Sequence, residues 1–545
     1  MTFSFLDFVV FFLYCVFIIG IGLWVSRDKK GYQKSAEDYF LAGKTLPWWA
    51  IGASLIAANI SAEQIIGMSG SGFAVGLAIA SYEWMAAVTL LLVGKYLLPV
   101  FIEKELYTIP EFVEKRFNTT LKSILAIFWI ALFVFVNLTT VLYLGGKALD
   151  TIIGTGDNSY LLYSMIGLAL IAAAYSLYGG LSAVAWTDVI QVALLIIGGL
   201  VTTIIALNYL TPDGGVLNGL SHLYTSAEDK FHMILDRSNP EFMNLPGISV
   251  LIGGMWVANL YYWGFNQYII QRALAAKSLD EAQKGIIFAA SLKLIIPLIV
   301  VIPGIIVYVL YTQPEGTAFI PGMEAIFNTP DGGIVYDNAY PWLMKVFLSP
   351  GLLGLVTAAL AAAIISSLAS MVNSVATIFT MDIYVPYFNK NATDKQTVNT
   401  GRIVAAVALI VAVLVAPQLS SVPQVFQYIQ EYTGLVSPGI LAVFIMGLFW
   451  NKTTTKGAIY GVLASLPIAL ILKLAPLGLP FLDQMFYTLI LTIVIIVGVS
   501  LTTNPHHEDP KAIQTTSDTF RTSPAFNIGS YSVLIIVAVL YAIFW

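Results

Sequence analysis

Cysteine, charge and histidine are scarce in this chain, and each scarcity excludes something. A single cysteine among 545 residues, Cys15, cannot form an internal disulfide; inside an apolar run it reads as a small apolar residue. Charged residues make up 10%, against about 25% in a soluble domain, so an ordinary soluble fold is excluded. Basic tracts and nucleic-acid motifs are absent. So are a P-loop, a haem-ligand pair and a zinc motif, which argues against an enzyme. The histidine pair His506 and His507 has no third ligand in reach, so it does not read as a metal site. The termini are too short for a signalling domain. The start, MTFSFLDF, lacks the positive n-region of a cleaved signal, so the first apolar stretch reads as a span.

What is present is apolar length. Hydrophobic residues make up 58%, with a mean hydropathy of +0.83, as expected of a polytopic membrane protein. Fourteen segments are long enough to span a bilayer when tilted: 4–25, 48–67, 77–101, 121–150, 159–178, 183–209, 247–270, 283–311, 350–380, 400–417, 423–449, 456–474, 479–502 and 527–545. The net charge of −5 says little about partners in so apolar a chain. Nothing calls for an obligate protein partner. Alternate connections carry twenty and five Lys/Arg residues, with Lys293 in neither set. The positive-inside bias then puts both termini outside the cytoplasm, in a plasma (inner) membrane.

Residues 48–209 and 247–449 would each supply five spans. An odd number per half forces the halves to be inverted, as in transporters built around broken helices. Residues 1–47 add one span and a cytoplasmic linker, 210–246 an external loop, and 450–545 three further spans. The first span of each half is interrupted, by NISAEQ (59–64) and by GGMWVAN (253–259).

Those interruptions carry polar groups where lipid disfavours them. A break near Ile60 would free the carbonyls of Ala57 and Ile60, which is tolerated only where they line a cavity or coordinate something. Neutral oxygens suit a singly charged hard cation. Ser366 and Ser367 could supply hydroxyls to such an ion, or could bond back to their own helix. Lys293 lies about nine residues into its apolar run, about 14 Å along a helix. A charge so placed costs at least ~2.5–3.5 kcal/mol unless paired or hydrated. Glu83 lies at comparable depth, so the two either neutralise each other structurally or face a solute. With Gln64, Asn259 and Gln430 they form a charge-balanced set of donors and acceptors, suited to a neutral, hydroxyl-rich solute. Tyr82, Tyr262 and Phe426 add aromatic faces that stack on a sugar ring. Met68 could equally be packing, and Asp188 a solvated helix-end carboxylate.

The stretches ASLIAANISAEQIIGMSGSG, IASYEWM, YSLYGGLSAVAWTDVIQ, WVANLYYWGFNQYIIQR, AAAIISSLAS and FQYIQEYTGLVSPGILAVF resemble the sodium/solute symporter family, and Y-S-x-x-G-G-L-x-A at 175–183 matches its signature. The resemblance implies a leucine-transporter-like core of ten helices working by alternating access. It implies sodium ligands at the carbonyls of Ala57, Ile60 and Ala363 and the hydroxyls of Ser366 and Ser367. Sugar would be bound by Gln64, Glu83, Asn259, Lys293 and Gln430, with Tyr262 as inner gate. Met68, Tyr82 and Phe426 would form the outer gate, and Asp188 would aid sodium exit. Where a sugar carrier of the family has a serine one turn after its glutamate, this chain has Ala86. Other solutes of the family, inositol, an amino acid or sialic acid, remain the alternative.

Overall fold

The computed structural model describes residues 3–25, 44–104, 109–154, 158–176, 181–211, 214–312, 320, 322–329, 332–504 and 508–545. His506 and His507, most of the linker 26–47, and the centre of the signature at 175–183 lie outside the described residues. Among the described residues the chain is helical, with only two isolated bridges, Leu46 to Ala276 and Asn328 to Ile334.

In order, the main helices are α1 (Phe5–Val25), α2 (Trp48–Asn59), α3 (Glu63–Ala74), α4 (Leu77–Glu103), α5 (Thr119–Ile153), α6 (Leu161–Ser176), α7 (Leu181–Leu210), α8 (Gly254–Phe265), α9 (Gln267–Leu274), α10 (Leu279–Thr312), α11 (Leu352–Phe388), α12 (Lys395–Ser421), α13 (Val425–Thr433), α14 (Ser437–Phe449), α15 (Thr455–Leu474), α16 (Phe481–Thr503) and α17 (Pro524–Ile543). Among the described residues nine helices are long and apolar enough to cross a membrane unaided. Two bent pairs, α2 with α3 at 64° and α13 with α14 at 47°, bring that to eleven. The other three expected segments are helical too, as α1, α6 and the α8–α9 pair.

The break between α2 and α3 follows from its sequence. Asn59 and Ser61 compete with the backbone for hydrogen bonds, which weakens a helix at that point. Ile60 takes an extended conformation, φ −76° and ψ 92°. The Ser61 amide then donates to the Asn59 carbonyl (3.0 Å), and the Ile65 amide to that of Ser61 (3.1 Å). No backbone amide reaches the carbonyls of Ala57 or Ile60 across the break. In the second half the chain turns at Gly253, where GGMWVAN begins, but the helix then runs straight through Asn259. The internal interruption lies at Asn266, φ −92° and ψ 117°, seven residues past Asn259. Both α2 and α8 are therefore 12-residue helices that end in an extended residue.

These broken helices sit in the centre of the bundle, with α10 alongside both halves of the first. The crossing of α3 and α10 requires glycine. A Cβ on Gly304 would sit 2.2 Å from the Ser69 carbonyl oxygen, and one on Gly72 2.8 Å from that of Val301. Both chain ends lie on the face bearing the long connections. Asp7 accepts from the Gly351 and Gly354 amides (2.7 and 2.9 Å), capping α11, and the Met233 amide donates to the Phe544 carbonyl (2.6 Å). On the opposite face Arg116 donates to the carbonyls of Gly447 (2.9 Å) and Thr453 (2.8 Å) and pairs with Asp509 (3.3 Å).

Gly304→Ala should overpack this crossing and destabilise the protein by about 1–3 kcal/mol. Thermal unfolding should show a lower melting temperature than wild type, while Gly498→Ala, whose Cβ meets nothing, should match wild type.

Candidate functional site: a charged cavity at the helix breaks

At the centre, Lys293 on α10 donates to Glu83 Oε2 on α4 at 2.6 Å; both side chains are almost wholly buried. Lys293 also donates to Asn59 Oδ1, and its ammonium lies 5.0 Å from the Trp263 ring centroid. Asn59 Nδ2 donates in turn to the Tyr262 hydroxyl (3.2 Å), which accepts from the Tyr268 hydroxyl (3.1 Å). A continuous chain of polar contacts thus runs from the charge pair, through the last residue of α2, to two tyrosines flanking the Asn266 break.

The pair does not close on itself in a dry core. It borders a cavity of about 60 Å³ whose walls include Gln64, Tyr82, Glu83, Ala86, Asn259, Tyr262, Lys293, Phe426 and Gln430. That volume admits roughly four water molecules. Glu83 and Lys293 are thus at once paired with each other and open to this cavity. All six expected substrate residues converge here, from α3, α4, α8, α10 and α13. Above them Tyr82 and Phe426 meet edge to face at 5.1 Å. Met68 is fully buried and does not line the cavity.

Several lining residues went unassigned by sequence: Asn59, Glu63, Asn137, Asn266 and Thr433. Asn59 and Glu63 stood inside the quoted polar stretch, so the signal existed. With Glu63 the walls carry two carboxylates and one ammonium, one negative charge beyond the balanced set of Gln64, Glu83, Asn259, Lys293 and Gln430.

Beside the break lies a second buried network. Asp188 is 2% exposed, which overturns the solvated-carboxylate alternative. It accepts from Ser54 (2.8 Å) and Ser366 (3.3 Å) and pairs with Arg272 at 3.4 Å, whose Nε donates to Ser54 (3.0 Å). Ser366 is thus turned away from its own helix backbone, unlike Ser374, which bonds back to Ser370 (2.9 Å). Both Ser366 and Ser367 are buried, as is Ala363 one turn earlier.

A family description, Sodium:solute symporter family, matches residues 39–465. The chain is 63% identical over 542 residues to the sodium/glucose cotransporter of Vibrio parahaemolyticus, covering 99% of this chain and 98% of the relative. The chain belongs to the sodium:solute symporter family. It is also 34% identical over 483 residues to the human sodium/myo-inositol cotransporter 2, covering 85% of this chain and 69% of the relative. Among solved structures, a Na+-coupled sialic acid symporter in a substrate-bound outward-open state superposes with a TM-score of 0.75 at 24% identity, over 92% of this chain and 98% of that one. Mhp1, a nucleobase-cation-symport-1 family transporter in a closed conformation, gives 0.51 at 14%, over 90% and 97%. Both likenesses bear on the fold, which is leucine-transporter-like.

In this symporter the connection after α10 reaches the start of α13. Asp337, 1% exposed, accepts from the Val425 amide at the start of α13 (3.2 Å), next to Phe426. A Cβ on Gly70 of α3 would lie 2.6 Å from its Oδ1, so Asp337 is wedged between α3 and α13. Burial pushes its carboxyl up from 3.8 to about 8, against the opposing pull of the Val425 amide and the Lys147 charge. The folded state therefore holds this proton more tightly than the unfolded chain. The stabilisation is complete below pH 3.8, is lost as pH rises through about 8, and levels off beyond. Melting temperature should fall more steeply for wild type than for Asp337→Asn between pH 5.5 and about 8. Equal slopes would show that Asp337 ionises freely in the folded protein.

Proposed function

We propose that this protein is a secondary active symporter coupling inward sodium flow to uptake of a neutral hexose, galactose or glucose, by alternating access. One observation carries the proposal: the residues expected to grip a polyol line a single cavity around a buried ion pair. Fixed donors and acceptors satisfy sugar hydroxyls, and a solute that needs no counter-charge leaves the Glu83–Lys293 pair intact. Gln64, Glu83, Asn259, Lys293 and Gln430 make the polar contacts, and Tyr262 closes the floor against the ring face. Met68, Tyr82 and Phe426 close the outer side. The name of the 63% identical relative supports the substrate class.

Sodium is the co-transported ion, held by the carbonyls of Ala57, Ile60 and Ala363 and the hydroxyls of Ser366 and Ser367. The backbone at the break supports this set, since two of its carbonyls have no amide partner. Sodium there ties α2 to α11 and favours the outward-open state. Sugar binds, the outer gate closes, and the two inverted halves, 48–209 and 247–449, rock against each other. Asp188, bonded to Ser366, draws sodium inward; Tyr262 shifts and the sugar follows. Coupling requires that sodium bind the two states unequally. One charge moving through 100 mV supplies ~2.3 kcal/mol and a tenfold sodium gradient ~1.4 kcal/mol, enough for roughly 500-fold accumulation at one sodium per sugar. The frame is fourteen spans in the plasma (inner) membrane: α1 and the linker to 47, the ten core spans with the external loop 210–246, and three after 450. Both termini lie outside.

Inositol is the second reading, favoured by Ala86 on the cavity wall, where a sugar-directed hydroxyl is missing, and by the inositol relative. Proteoliposome uptake separates them. Labelled galactose should accumulate under an inward sodium gradient but not a potassium or proton gradient, with glucose competing better than inositol. Ser367→Ala should abolish the sodium stimulation while remaining folded. Sodium-driven uptake at the wild-type rate in that variant would remove Ser367 from the site.

A further inference from the structure

Glu63 has no cationic partner in the cavity it faces. It is 7% exposed on the π-helical turn Glu63–Met68, and Lys293, the one ammonium on the cavity wall, is held by Glu83 and Asn59. Around Glu63 lie oxygen atoms that are short of donors. Thr140 Oγ1 lies 3.5 Å from its Oε1, but the single proton of that hydroxyl has nearer acceptors in the Val136 carbonyl (2.7 Å) and the Asn137 carbonyl (3.1 Å). Asn137 is 6% exposed, lines the same cavity, and its Oδ1 has no hydrogen-bond partner; the same is true of Gln64 Oε1. Asn137 sits on a second π-helical turn, Phe133–Leu138; Thr140 lies two residues past it, in the α-helical part of α5 that packs against Glu63–Met68. Such bulges turn side chains and carbonyls out of helical register and recur at binding sites.

A buried carboxylate, an amide oxygen and a hydroxyl oxygen, all short of donors, are a hard-cation ligand set. One carboxylate among neutral oxygens balances a single positive charge. Groups of three or more acidic, His or Cys side chains that could hold a divalent ion are absent from the described residues. We propose that Glu63, Asn137 and Thr140 form a second site for a monovalent cation, sodium, on the α5 side of the cavity. This site shares no residue with the Ala57/Ile60/Ser366/Ser367 set and does not depend on that set being correct. Glu63 follows Ile60 by three residues, so ions at the two sites would brace the same break from opposite sides. A cycle that filled both would move two charges per sugar.

The test is equilibrium binding of radioactive sodium to the purified full-length protein, counted per chain without sugar. Glu63→Gln should lose one bound sodium relative to wild type, and Ser367→Ala should lose a different one, so that the double variant binds none. Thr140→Val keeps the carboxylate and should weaken the same sodium by roughly tenfold, which carries the test if Glu63→Gln does not fold. Loss in Glu63→Gln but not in Ser367→Ala would support this site and remove the other. An unchanged sodium count in Glu63→Gln, or wild-type affinity in Thr140→Val, would overturn it. So would a Glu63-dependent proton uptake with no Glu63-dependent sodium, which would make the carboxylate a proton site.

Discussion

Everything at the centre of this protein depends on one buried ion pair, Glu83 with Lys293 at 2.6 Å. Taking both charges out of water costs several kcal/mol each, and an apolar pair of similar volume would often be at least as stable. Stability therefore does not explain why the pair is there. Its surroundings do. Lys293 is shared with Asn59, the pair faces a cavity rather than packed side chains, and the amides Gln64, Asn259 and Gln430 face the same space. A polar guest would replace water around fixed charges and amides without a change in net charge.

The same pair links the cavity to both helix breaks. Asn59 is the last residue of α2, and it touches both the ammonium and the Tyr262 hydroxyl. Any change in the angle of the break moves Asn59, and with it the tyrosines beside the second break at Asn266. Ser366 and Asp188 reach the other side of α2 through Ser54. The Asp188–Ser366 network, the cavity and the two tyrosines are thus three neighbours of one short stretch of unwound backbone. On the far wall of the cavity Tyr82 lies against Phe426, and Asp337 accepts from the amide beside Phe426.

Much of this was legible in the sequence, for a physical reason. In an apolar segment a single lysine or glutamate is an expensive exception, so Lys293 and Glu83 stood out and their depths matched. The polar run at 59–64 announced a broken helix for the same reason. What escaped depends on three dimensions. Asn266 ends α8 in a span where GGMWVAN looked the weaker stretch, because the sequence does not show which polar residue loses its helical partner. Asp7 capping Gly351 and Gly354, and Asp337 reaching Val425, join segments far apart in the chain. Glu63 was visible, yet it was read with the break rather than with the cavity. Which way a residue faces on a π-helical turn is not set by the 3.6-residue period.

The most direct measurement separates the two roles of the ion pair: glucose binding to purified Glu83→Leu/Lys293→Met, by calorimetry in saturating sodium, beside its thermal unfolding. A functional pair predicts a folded protein at least as stable as wild type that no longer binds sugar. Wild-type sugar affinity in that variant would contradict the account, because the charges would then be structural and the cavity indifferent to them.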